Sequence, residues 1–217
     1  AESIAQVDKD SITFSSNQAE TTVDIIKKLT TQHFQKQPID DALSQNLLTQ
    51  YLGLLDPTKS YFLQEDINEF QKWKFKLDDL LKSGDLSPGF FIYKRYQQRA
   101  SKRLQENIAL LESGFIFDLN KDESLSIDTE ANKWQDSTKD SDNYWRKKTK
   151  EAYLRLKLND KDPEEVRKLL IKRYTNLKKR IHQSDSEDVF QLYMNALTGL
   201  FDPHTSYLSP RSMKNFR

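Results

Sequence analysis

The chain has 217 residues and a formal net charge of +1, so global electrostatics give no reason to expect a nucleic-acid or membrane partner. Five Gly and six Pro fall below the usual shares of roughly 7% and 5%, which argues against Gly-rich phosphate loops, many-turned sandwiches and collagen-like repeats, and leaves long helices. Zero Cys excludes disulfide frameworks, zinc ribbons and thiol nucleophiles, while 12 Phe, 9 Tyr and 3 Trp give a chain with 31% charged residues enough large groups to bury for a folded domain.

No window approaches the roughly 18 apolar residues that a membrane helix needs. The chain opens AESIAQ, with no initiator Met, basic leader or apolar leader, and stops at KNFR; a trimmed piece of a longer protein is expected.

Residues 1–17 are polar, with Ile12 and Phe14 as anchors, and read as an extended lead-in. A first helix is expected over 19–36, where Val23, Ile26, Leu29, His33 and Phe34 recur near helical spacing before Pro38. Asp40 or Asp41 then caps a second helix, whose Leu43, Leu47, Leu48, Tyr51, Leu52 and Leu55 fall at threes and fours before Asp56-Pro57. The stripe Ile67, Phe70, Trp73, Leu77, Leu80 and Leu81 predicts one helix over 64–82 closed by Gly84, with Phe75 off the stripe and set to meet another element. Ser87-Pro88 reads as an N-cap and first-turn proline for a long helix to 112, ended by Gly114. Residues 115–141 lack helical periodicity, and helix returns near Asn143, running through the alternating AYLRLKL. Asp162-Pro163 opens a helix carrying Val166, Leu169, Leu170, Tyr174, Leu177 and Ile181. A last helix, starting at Ser184 or Ser186, buries Val189, Phe190, Tyr193, Met194, Leu197 and Leu200 before Gly199 to Pro203 end it. The expected fold is all-α, an irregular bundle of about seven helices with one long loop or small hairpin excursion near 115–141. It divides into a lead-in at 1–17, a helical domain at 18–200 and a linker at 201–217.

The segments YLGLLDPTKSYFLQEDINEF (51–70) and LTGLFDPHTSYLSPRSMKNF (197–216) align without a gap at a separation of 146 residues. Each is read as a helix end broken by Gly and then Asp-Pro, a turn whose Ser and Asp bond backbone groups, and an aromatic tucked back. The candidate positions are Gly53, Asp56, Pro57, Ser60 and Tyr61 in the first copy, and Gly199, Asp202, Pro203, His204, Ser206 and Tyr207 in the second.

No HExxH, GxSxG, SxxK, P-loop or GxGxxG pattern is present, and His33, His182 and His204 are far apart in sequence. Asp118, Asn120, Asp122 and Ser124 imitate the start of a calcium loop, but Glu123 stands where the turn needs Gly and Thr129 where a bidentate Glu belongs; a solvated loop is the better reading. No cofactor and no metal are expected. Residues 146–182 hold 14 Lys and Arg against 5 Asp and Glu. With Tyr153 and Tyr174 nearby, these basic helices suit an anionic partner; the plainer reading is a solvated face that complements acids elsewhere.

RYTNLKKRIHQSDSEDVFQLYMNALTGLFDPHTSYLSPRSMKNF (173–216) resembles the end of the N-terminal helical region of the tail-specific, or carboxy-terminal processing, proteases. Upstream, LLDPTKSYFLQEDINEF, the SGDL turn and the helix through YKRYQQRA follow the order of that family, so the resemblance spans nearly the whole chain. Two departures fall in the excursion: Lys133 stands before Trp134 in place of a proline, and Thr129 in place of an Arg. The resemblance implies a periplasmic serine endopeptidase of Gram-negative bacteria, with a PDZ domain and a Ser-Lys dyad lying beyond residue 217, so no catalytic residue carries over here. It also implies protein substrates such as cell-wall hydrolases, and for some members a lipoprotein adaptor with tetratricopeptide repeats. The helical region would act as a scaffold, substrate enclosure and docking surface, with the second Asp-Pro turn a rigid corner aiming the chain into the PDZ domain.

Overall fold

The computed structural model describes residues 12–31, 38–115, 117–118 and 133–201. The order of elements is α1 (Ser16–Thr31), α2 (Asp41–Leu55), α3 (Gln64–Phe70), α4 (Leu77–Lys82), α5 (Ser87–Glu112), α6 (Thr138–Lys157), α7 (Pro163–Gln183) and α8 (Ser186–Phe201). Among the described residues the extended pairing is a single parallel bridge, Leu63 with Gln135. The all-α class holds.

Helix α1 starts inside the expected lead-in. Ser15 N–H donates to Gln18 Oε1 (2.9 Å) and Gln18 N–H to Ser15 Oγ (3.1 Å), a reciprocal cap that the Ser-x-x-Gln spacing supplies. Its buried face is Gln18, Thr22, Ile26 and Leu29; the expected His33 and Phe34 lie outside the described residues. Helix α2 begins as expected, with Asp40 Oδ1 accepting the Leu43 N–H (3.0 Å).

The expected single helix over 64–82 is broken. A 3-10 turn, Gln71–Trp73, and a short turn separate α3 from α4. Buried Ser44 on α2 holds the break, donating to the Trp73 carbonyl (3.2 Å) and accepting the Leu77 N–H (2.8 Å). The break leaves Phe75 at 53% exposure, so the expected packing against another element is not made among the described residues. Gly84 ends α4 in the left-handed region (φ 77°), with its N–H on Leu81 O (3.0 Å) and that of Asp85 on Leu80 O (2.8 Å). A Cβ there would also lie 2.9 Å from the Ala19 carbonyl oxygen of α1.

Ser87 is the first residue of α5, not its cap; the Asp85 carboxylate accepts both its N–H and its hydroxyl. The excursion is shorter than expected, because Ser137 Oγ caps the Asp140 N–H (3.1 Å) and starts α6 five residues before Asn143. Residues 119–132, including most of the calcium-like positions, lie outside the described residues. Helix α6 carries AYLRLK as helix, and α7 starts at Pro163, though Leu169 is exposed and not part of the buried stripe. Reciprocal bonds between Asp185 and Asp188 (both 3.0 Å) start α8, so Asp185, between the two expected serines, is the cap.

Two apolar clusters result. The larger joins α1, α2, α3, α4, the first part of α5 and α8 through residues such as Leu47, Tyr51, Phe70, Leu81, Phe190 and Leu197. The smaller joins the second part of α5 to α7 through Ala100, Leu104, Val166 and Leu170, with α6 against it. Tyr96, near the middle of α5, packs against both. Among the described residues no helix is long and apolar enough to cross a membrane.

The Asp-Pro turn as candidate functional site

The first copy of the repeated segment lies between α2 and α3, where the larger cluster meets α5 and α6. Gly53 does not break α2; it sits inside its last turn, and the helix ends two residues later at Leu55. Asp56 caps that end, its N–H on Leu52 O (2.9 Å). Pro57 supplies the fixed φ of the turn that follows, closed by Lys59 N–H on Asp56 O (3.1 Å).

The Asp56 side chain then folds over its own turn. At 1% exposure, its carboxylate accepts the N–H groups of Ser60 (2.8 Å), Tyr61 (3.0 Å) and Phe62 (3.0 Å). Burial pushes this carboxyl above its ordinary range, while the three amides and the nearby Lys148 ammonium pull it part of the way back. Successive N–H groups turned toward one anion form a nest; here the anion is the protein's own side chain.

Helix α6 holds the turn from outside. Trp145 Nε1 donates to the Ser60 carbonyl (2.7 Å), and Lys148 Nζ donates to Ser60 Oγ (2.9 Å), which also meets Thr58 Oγ1 (2.6 Å). The Lys148 ammonium lies over the Trp145 ring, 4.7 Å from its centroid. Burial lowers the Lys148 pKa, with Asp56 and Glu151 opposing. Tyr61 packs on Trp145 (5.3 Å between centroids) and edge-on to Tyr96 (5.9 Å). Burial raises its phenol, and that of Tyr96 is pushed up to about 12.

A second buried carboxylate fixes the exit of the turn. Asp66, 0% exposed, accepts the Leu63 N–H (2.9 Å) at the start of α3. It is also clasped by Arg99 from α5 at both oxygens (2.8 and 2.9 Å) and by Arg95 (2.6 Å). Burial raises its pKa, but the Arg99 bonds, the Leu63 amide and Arg95 outweigh that and hold it below the ordinary range.

Of the expected positions, Asp56, Pro57, Ser60 and Tyr61 are brought together, with Gly53 one turn behind. Gly199 occupies the matching place inside α8. Where a Cβ would stand on Gly199, the nearest atom is Gln50 Nε2 of α2, at 3.8 Å. Asp202, Pro203, His204, Ser206 and Tyr207 lie outside the described residues, as does His33, while His182 pairs with Ser101. The basic stretch is partly internal, since Lys148 serves the turn and Lys150 is buried, while Arg155 and Lys178 bond Glu151 and Gln105 at the surface. Among the described residues, no three His, Asp or Glu side chains gather closely enough to hold a metal ion.

Trp145, Lys148, Asp66, Arg95 and Arg99 were not read from the sequence as partners of this turn. The arginines carried a faint signal, an i, i+4 pair of cations facing an acidic first turn that holds Glu65 and Asp66.

The described residues define an all-helical domain in which buried carboxylates lock the Asp56-Pro57 turn. Residues 25–211 match the tail specific protease N-terminal domain family, a span that takes in the first copy of the Asp-Pro segment and most of the second, and the chain belongs to that family. It is 37% identical over 190 residues, 87% of its length, to the tail-specific protease of Haemophilus influenzae. The matched stretch is 27% of that protein, so the chain spans about a quarter of its relative's length.

Proposed function

We propose that this chain is the non-catalytic, N-terminal part of a periplasmic C-terminal processing serine endopeptidase. It holds downstream PDZ and Ser-Lys protease domains in register, lines the space that protein substrates enter, and offers a surface to a tetratricopeptide lipoprotein adaptor. The reading rests on family membership. The observation that carries the scaffold role is the Asp56 turn, which binds the ends of α2 and α3 to α6 through buried polar bonds. The same residue pattern recurs at 199–207, beginning inside α8 at Gly199. Asp202 would then gather the amides of Ser206, Tyr207 and Leu208 as Asp56 does those of Ser60, Tyr61 and Phe62, giving a stiff corner that aims the chain into the PDZ domain. Tyr207 would pack as Tyr61 does.

The test is made in the full-length protease with Asp202→Ala and Tyr207→Ala. Both are expected to slow degradation of a protein with an unstructured C-terminus and to lower the melting temperature of this domain. Wild-type proteolysis together with wild-type stability in both variants would remove the corner from the scheme.

A further inference from the structure

Helix α7 packs on α5 and α6 through Val166, Leu170, Tyr174 and Ile181, and its opposite face is open: Lys168, Leu169, Lys172, Arg173, Asn176, Lys179 and Arg180 are all exposed. From Val166 to Gln183 the helix carries no Asp or Glu, so Lys172, Arg173, Lys179 and Arg180 have no acid one turn away on their own helix. Among the described residues none of the five cations on this face makes an ion pair, whereas Lys102 and Arg155 each take a glutamate one turn along, Glu106 (4.0 Å) and Glu151 (2.8 Å). Lys168 and Lys172 instead form a like-charge pair four residues apart, an arrangement that costs a helix stability unless something outside it supplies the acid.

Helical periodicity sorts the face into two rows, Lys168, Lys172 and Lys179 in one, Arg173 and Arg180 in the other. Leu169, 37% exposed, and Asn176 lie between them. In each row a pair of cations stands seven residues apart, 172 with 179 and 173 with 180, about 10.5 Å along the axis. Carboxylates seven apart on a facing helix recur at that same interval, while side chains on one face of an extended chain recur about every 6.8 Å and fall out of step.

We infer that the outer face of α7 is a docking surface for an acidic helix of a partner protein: carboxylates pair with the two rows of cations, and one apolar side chain settles on Leu169 between them. Charge complementarity selects an acidic partner, and the seven-residue interval selects a helical one. The inference stands on α7 alone and does not depend on the scaffold reading.

The probe is a fluorescein-labelled, alanine-rich peptide with glutamates and a leucine at heptad spacing on one face, titrated with the 217-residue chain and read by anisotropy. Saturable binding that weakens with salt is expected, at least about tenfold tighter than that of a peptide of the same composition with its glutamates spread around the helix. Lys172→Glu with Lys179→Glu should weaken binding by at least about tenfold and leave the melting temperature unchanged, and a peptide with lysine in place of glutamate should then bind this variant. Lys27→Glu with Lys28→Glu on α1, the same change in net charge at a different place, should leave binding within about twofold. Absence of binding, undiminished binding by the folded α7 variant, or an equal loss in the α1 variant would overturn the proposal. Equal binding of the spread peptide, or of single-stranded DNA of the same charge, would also overturn it, since α7 would then hold any polyanion.

Discussion

Replacing Asp56 with Ala would leave the N–H groups of Ser60, Tyr61 and Phe62 without their acceptor in a buried setting, and is expected to cost about 3 kcal/mol in a urea melt. Trp145→Phe keeps a ring against Tyr61 but removes the donor to the Ser60 carbonyl, and should cost only about 1 kcal/mol. Two glycines make a sharper contrast. A Cβ on Gly89 would stand 2.5 Å from the Tyr193 ring, in the layer where Tyr51 also bonds the Gly89 carbonyl (2.9 Å). Gly89→Ala should therefore destabilise by roughly 1–3 kcal/mol, while Gly53→Ala, in open space on a helix, should stabilise by about 0.5–1 kcal/mol. At this scale Asp56 and Ser60 were legible, because the Asp-Pro-x-x-Ser-Tyr string carries its own turn chemistry. Lys148 was not: nothing in Arg146-Lys147-Lys148 separates the lysine that reaches Ser60, 88 positions away, from the two cations before it.

Among the helix starts, the one that Asp40 caps read well, while those capped by a reciprocal pair, Ser15 with Gln18 and Asp185 with Asp188, and the one capped by Ser137 read poorly. The largest misreading was the continuous helix over 64–82. The stripe is real, since Ile67, Phe70, Leu77 and Leu81 are all buried, but an apolar period does not reveal a break that another helix imposes. Ser44 imposes it through both of its bonds, to Trp73 and Leu77. Ser44→Ala should leave the Leu77 N–H without its acceptor and lower stability by about 1–3 kcal/mol; if the melt were unchanged, the break would have another cause.

Two clusters sharing α5 give the molecule its shape, and sequence periodicity, which reports faces and not partners, showed the faces alone. Stability against acid should depend on the clasp between α3 and α5. Asp66 is held below its ordinary value of 3.8 in the folded chain, so its contribution is present above that pH and lost as pH falls through the folded-state value. The stability gap between the wild-type chain and Asp66→Asn should thus be widest near neutral pH and shrink in strong acid; a gap unchanged across that range would show that the clasp acts by packing alone. The pairings that complete the larger cluster also join opposite ends of the chain: Gln18 bonds Glu187 across 169 positions, and Thr22 meets Met194 across 172. During synthesis, therefore, α1 and α2 leave the ribosome long before the surface that covers them exists, and the smaller cluster of α5, α6 and α7 has its partners first. The N-terminal helices can pack on α4 and α5 as these emerge, but the part of their apolar faces that α8 covers stays open until α8 arrives, which makes this interval the point at which a chaperone has most to shield.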